Sequence, residues 1–276
     1  MITRYAGALV RAFLVVISIT LPSVLLHEVG ADTAQIVALV ALFAGALTFF
    51  EYASVYPGLI EFRDAPPLNR IRFMAFFATV MVLTLLVRVE YDPSTFNRFI
   101  EALAATLGRA LDFPYSPVRL LVLVLPADAS AERVEELRAA GAAAYVISLV
   151  TLAWFSLYMR VAGWPIVRGG FNVWVNLPTF DPTAGGDVVE RLRRDSWFNV
   201  ALGFLAPFLV PAVLKLISLW LAPVTLTSAH TMIWTVTAWA FLPTSLILRG
   251  LAMGRIAAMI EEKRRAAPLH DDLLPA

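Results

Sequence analysis

Six stretches of this chain are almost unbroken in their apolar character: 6–26, 34–54, 71–89, 142–161, 198–221 and 230–248. Each approaches the length of about 20 residues that a helix needs to cross a bilayer. The third is the shortest, with an apolar centre at 73–87 that Ile71 and Val89 extend. Charged residues gather between the stretches. The pattern predicts an all-α integral membrane protein with six transmembrane helices, one polytopic domain over 1–276.

Arginine placement gives an orientation. The turns after the first and fifth spans carry no Lys or Arg. The turn after the second carries Arg63, Arg70 and Arg72, and the loop after the fourth carries Arg168, Arg191, Arg193 and Arg194. The tail, 249–276, adds Arg249, Arg255, Lys263, Arg264 and Arg265, and Arg4 lies near the start. Basic residues mark cytoplasmic loops, so both termini are expected in the cytoplasm, as an even number of spans also requires. On that reading 55–72 and 162–195 are structured cytoplasmic loops and 90–141 is a periplasmic insertion. A competing reading makes the first span a cleaved signal peptide, with Val29-Gly30-Ala31 as the cleavage site. Acidic Glu28 argues against it, and cleavage would leave the other five spans in the same orientation.

The insertion has its own pattern. Phe96, Ile100, Leu103, Leu107 and Leu111 recur at helical spacing, with Arg98, Glu101, Arg109 and Asp112 off that face. This predicts an amphipathic helix that rests on headgroups or on the ends of the spans. The run Val118 to Leu125 is too short to cross and reads as a strand or a shallow dipping segment. Asp128 or Ser130 caps a following helix, which continues through Gly141 into the fourth span. In the second inner loop, Trp164-Pro165 ends a helix and Asp187 with Glu190 starts another. Its density of turns and aromatics predicts that it folds against the first inner loop, where Tyr56-Pro57 and Pro66-Pro67 turn the chain. Both loops together then form the inner face, with Arg63, Asp64, Trp164, Asn172, Trp174, Phe180, Asp181 and Arg191 as partner-binding candidates. The bland alternative is an aromatic belt at the membrane interface.

Composition narrows the class further. The 276 residues are 59% hydrophobic and 16% charged, with mean hydropathy +0.75. A net charge of +1 offers nothing to nucleic acid. There is no cysteine, which removes disulfides, thiolate metal sites and cysteine nucleophiles. Of the 22 basic residues only Lys215 and Lys263 are lysine, which with abundant alanine points to a GC-rich bacterium and its inner membrane. No phosphate-binding loop, nucleophile elbow or His-Glu-x-x-His helix is present.

What chemistry remains sits in few residues. Arg11 and Glu51 both lie toward the inner ends of their spans, where they either pair or snorkel to the headgroups. Lys215, near the outer end of the fifth span, either snorkels or meets a substrate or lipid headgroup. His27 and His230 flank the outer boundary and are weak candidates for a haem or metal; no metal site and no cofactor is identified. Pro207, Pro211 and Pro243 interrupt the last two spans, as in a transporter's broken helices or in static packing. The expectation is a non-catalytic accessory, assembly or scaffolding protein whose partners are the bilayer and another membrane protein. A small-solute or lipid transporter using Lys215 and the proline-bent spans is the alternative, and a haem- or quinone-associated protein the third.

Overall fold

In the computed structural model the described residues are 2–27, 29–165, 171–181, 183, 185–218 and 228–266. They form helices α1 (Ile2–Leu25), α2 (Ala31–Ala53), α3 (Leu68–Arg88), α4 (Thr95–Leu111), α5 (Pro117–Val122), α6 (Ala131–Ala162), α7 (Val173–Asn176), α8 (Val188–Ser218) and α9 (Ala229–Ala266). No strand occurs among them. Six of these helices, α1, α2, α3, α6, α8 and α9, are long and apolar enough to cross a membrane, so the chain is a multi-pass membrane protein.

Three of them run well past their apolar stretches. At 1.5 Å per residue, the 38 residues of α9 extend about 57 Å against a hydrocarbon core of about 30 Å. Its second half therefore continues past the apolar stretch, packs into the bundle through Leu248, Met253 and Ile256, and pairs at its end with the charged residues at and before the start of α8: Arg193 with Glu261, and Arg264 with Asp187 at 2.7 Å. The end of the bundle where α1 begins is termed proximal; both loops rich in arginine lie there. The opposite end is distal.

The α8–α9 contact is the most extensive in the fold, and small residues make it possible. A Cβ on Gly203 would stand 2.6 Å from the Pro243 carbonyl oxygen, and one on Gly250 would stand 2.7 Å from that of Ser196. Close backbone approach of this kind replaces the hydrophobic drive that helices lack in lipid. The prolines are part of the same packing. Pro211 cannot donate to the Pro207 carbonyl four residues back, and the buried Trp239 Nε1 donates to it instead, at 3.0 Å.

Two apolar clusters are threaded by α6 and α9. The distal one gathers Leu83, Val87, Leu121, Leu137, Ile233 and Trp239, and the proximal one Phe62, Leu68, Phe155, Trp164, Leu192 and Met253. In contrast, α2 packs on α1 and on no other helix, and α1 reaches the body mainly through α3. The α1–α2 hairpin thus stands at the side of the bundle.

In the 90–141 segment one expectation changes and another is refined. Residues Val118 to Leu125 are not a strand: Ser116 Oγ accepts from the Arg119 N–H at 3.0 Å, Pro117 takes a first-turn position, and a six-residue helix follows. Its Val118, Leu121 and Val122 are buried against α6 and α8, which explains an apolar run with no helical period. In α4 the face turned to the bundle is Asn97, Ala104 and Gly108, whereas Phe96, Phe99 and Leu103 are exposed. Close packing of Gly108 on Ala139 brings the small residues nearest, with Leu107 and Leu111 packed beside them on the distal cluster.

Gly250→Ala should lower the thermal midpoint in detergent, since forcing a methyl against the Ser196 carbonyl costs about 1–3 kcal/mol. Gly185→Ala, where a Cβ meets nothing within 4 Å, should leave it unchanged. Equal midpoints for the two variants would show that the helices do not meet this closely.

Candidate functional site

The proximal loops are short of hydrogen-bond partners by construction, because each must end one long helix and begin another. They solve this by bonding to each other. The loop between α2 and α3 donates Phe62 N–H to the Asn176 carbonyl at 2.6 Å and Asp64 N–H to Asn176 Oδ1 at 3.0 Å. Trp164, just beyond the left-handed Gly163 that terminates α6, donates its indole N–H to the carbonyls of Ala65 at 3.2 Å and Pro66 at 3.1 Å. Its ring meets Phe155 edge-on at 5.3 Å and Phe62 at 5.9 Å. Phe62 is held at φ 54°, a left-handed conformation that a bulky residue adopts only when its surroundings impose it.

At the centre lies Glu61. Its carboxylate accepts from Arg249 Nε at 2.6 Å and Nη2 at 2.8 Å, and from the Thr179 hydroxyl at 2.6 Å. Burial alone would push the Glu61 carboxyl up; the hydrogen bonds from Arg249 and Thr179, then the charges of Arg249 and Arg72, hold it below its ordinary value. Asn69 Nδ2 donates to the Glu61 carbonyl at 2.8 Å, and Arg255 Nε to that of Trp164 at 3.1 Å. One carboxylate therefore joins the first loop, the second loop and α9.

Arg11 and Glu51 do not pair. Glu51 instead accepts the backbone N–H groups of Gly58 at 3.0 Å, Leu59 at 2.8 Å and Ile60 at 3.0 Å. Arg63 closes the exposed carbonyls at the end of α2, reaching Glu51 at 3.1 Å, Ser54 at 2.8 Å and Val55 at 3.2 Å. Arg11 donates to the Gly7 carbonyl at 2.7 Å and lies 4.7 Å over the Tyr52 ring.

Below this cap, between the α1–α2 hairpin and α3 with α9, is a cleft of about 1820 Å³. Its deeper walls are apolar, among them Leu14, Ile17, Phe73 and Phe76. Its proximal end is lined by Arg11, Arg63, Arg70, Arg72 and Arg249, with Glu61 as the only carboxylate among the lining residues. Val10, Leu59 and Met74 on its margin are 57%, 62% and 59% exposed, so the cleft opens sideways from the bundle.

Several of the residues that the sequence singles out for a partner are spent inside the fold. Trp164 is fully buried, Phe180 nearly so, and the Arg63 side chain is 9% exposed; each is needed to hold the cap, so none offers free surface. Asp64, Asn172, Trp174 and Asp181 are exposed. Arg191 stays partly exposed, 4.6 Å over the Phe180 ring and donating to the Asp181 carbonyl at 2.8 Å. Lys215 donates to the Leu125 carbonyl at 3.0 Å, which ties α8 to the end of α5. The His27 ring lies 5.6 Å from that of Tyr91, tilted by 31°, and no group of three or more metal-binding side chains occurs among the described residues. The sequence reading missed Glu61 as a site residue, and it treated Arg70, Arg72 and Arg249 only as markers of orientation.

Glu61→Ala leaves Arg249 without its carboxylate, and loss of one partner from a largely buried pair should cost about 3 kcal/mol. Glu61→Gln, which keeps the shape, should cost less. Because the folded-state pKa of Glu61 is lowered, its contribution is present above the ordinary carboxylate range and is lost as pH falls through the lowered value. Thermal midpoints should therefore fall on acidification below about pH 4.5 in the wild type, and the slope should be shallower in Glu61→Gln. A wild-type slope matched by that variant removes Glu61 as the cause. No protein-family model matches this chain, and neither a curated protein nor a solved structure is significantly similar to it.

Proposed function

We propose that this is a non-catalytic, multi-pass protein of the bacterial inner membrane, an accessory, assembly or scaffolding component that holds a membrane-protein partner on its proximal face. The observation that carries the reading is a groove of about 480 Å³ built from both proximal loops, Tyr56 and Pro57 from one and Trp174 and Pro178 from the other. Tyr56 and Trp174 are 71% and 56% exposed, and the loops that carry them are joined by the hydrogen bonds of Phe62 and Asp64 to Asn176. Exposed aromatics on a rigid base are the chemistry of interface hot spots, because little ordering entropy is lost when they are covered.

In this reading both termini and the cap are cytoplasmic, and 90–141 is periplasmic, in keeping with the arginine distribution. α4 is then an amphipathic helix whose Phe96, Phe99 and Leu103 rest on the outer headgroups. A second reading, a lipid or small-solute carrier, draws support from the sideways-opening cleft and not from Lys215.

Two experiments test this. The chain has no cysteine, so single substitutions report orientation directly. Tyr115→Cys should react with a membrane-impermeant maleimide in intact spheroplasts, and Tyr56→Cys only after permeabilisation; the reverse pattern inverts the topology. For the function, a tagged wild type purified in mild detergent should bring down one membrane-protein partner in stoichiometric amount. Trp174→Ala should lose it at unchanged thermal midpoint, with a weakening of at least tenfold, as hot-spot truncations of about 2 kcal/mol give. A wild type that purifies alone under several mild detergents would sink the scaffold.

A further inference from the structure

The cationic end of the cleft contains more positive charge than the protein neutralises. Arg249 is satisfied by Glu61, and Arg63 by three carbonyls and by Asp64 at 3.4 Å. The other three lining arginines make no salt bridge among the described residues, although the Glu61 carboxylate that Arg249 already holds acts on Arg72 from further away. Arg11 has a carbonyl and a ring. Arg72 gives one N–H to the Ser245 carbonyl at 2.9 Å, while its Nε is buried and without a hydrogen bond. Arg70, two residues before it in the first turn of α3, is exposed and makes no ion pair among the described residues. The start of α3 also has no side-chain cap, so its first N–H groups add positive potential there.

A guanidinium carried out of water without a counter-charge is costly, and the cost is relieved by an anion that accepts several N–H bonds at once. Phosphate has that geometry, and arginine matches it with two parallel bonds. The apolar walls beyond the arginines set the second requirement. A soluble phosphate would leave Leu14, Ile17, Phe73 and Phe76 facing an empty trough, whereas an acyl chain covers them. The sideways opening permits entry from the membrane without passing through water. A partner's transmembrane helix would cover the same walls but would leave the arginines without their anion.

We propose that this cleft is a binding site for an anionic phospholipid of the proximal leaflet. Its phosphate lies among Arg70, Arg72 and Arg11, and an acyl chain runs along α1 and α3. Glu61 and Arg249 take no direct part: Glu61 occupies Arg249, which fixes the cap that closes the site from above. The site stands independently of the scaffold reading, since its lining does not include Trp174.

The test uses the full chain, delipidated in mild detergent and offered phosphatidylglycerol or phosphatidylcholine, with bound lipid counted by native mass spectrometry. The wild type should retain phosphatidylglycerol about tenfold over phosphatidylcholine. Arg70→Gln, an exposed change that leaves the fold intact, should reduce phosphatidylglycerol retention about fivefold, as one arginine near a lipid surface contributes. Arg72→Gln should do the same or more, and Arg72→Lys should recover part. Val10→Trp, on the cleft margin, should lower retention of both lipids. Arg194→Gln, outside the cleft lining, should lower neither. Equal retention of the two lipids by the wild type overturns the proposal, as does an Arg70→Gln variant that binds phosphatidylglycerol normally. Complete displacement of the lipid by millimolar glycerol phosphate also overturns it, since the chain would then contribute nothing.

Discussion

The proximal half of this molecule depends on one carboxylate. Glu61 is nearly buried, and an ionised carboxylate removed from water is unfavourable by several kcal/mol unless its lone pairs are filled. Arg249 and Thr179 fill them, and they come from segments 188 and 118 residues away along the chain. The pair is weak evidence for net stability, because an apolar replacement of the same shape could do as well. What it supplies is uniqueness: only one arrangement of the two loops and α9 brings three donors to a single carboxylate. Trp164 under the Ala65 and Pro66 carbonyls, and Asn176 under Phe62 and Asp64, are consistent only with that arrangement.

The spans were legible because lipid imposes a length and an apolarity that few other environments require. Their ends were not. α8 begins ten residues before its apolar stretch, in a segment whose Arg193 looks like a solvated loop residue until Glu261 of α9 is placed beside it. The face of α4 divides for a related reason: Ala104 and Gly108 make the closest approach to the bundle, Leu107 and Leu111 pack beside them, and Phe96 and Leu103 stay outside. The short α5 is apolar on several sides because it is covered on several sides, and such a run has no period to read.

The candidate site was half legible for a different reason. Every arginine that lines the cleft is visible in the sequence, yet each has a sufficient explanation alone as an orientation signal or a snorkelling side chain. Their convergence depends on a hairpin that stands at the side of the body, and no local pattern encodes that. The scarcity of charge within the spans was real, but it directed attention to the water-facing loops. Arg11 and Arg72 lie inside α1 and α3, about one to three turns from the proximal ends, and they face the cleft from there.

The width of the cleft follows from the loop above it. On the hairpin side that loop is fixed by Glu51, whose carboxylate holds the three N–H groups of Gly58 to Ile60, and by Arg63 across the end of α2. On the body side it is fixed by Glu61 to Arg249 and by Trp164 beneath Ala65. Ile60 and Glu61 are neighbours, so the two anchorages adjoin along the chain, and a shift of the hairpin relative to α9 strains one set of bonds or the other. Helices in lipid have no hydrophobic drive to close such a gap, and the arginines along its proximal end repel one another. The loop above adds a spacer bonded on both sides, so the cleft is a property of the fold and not a packing defect.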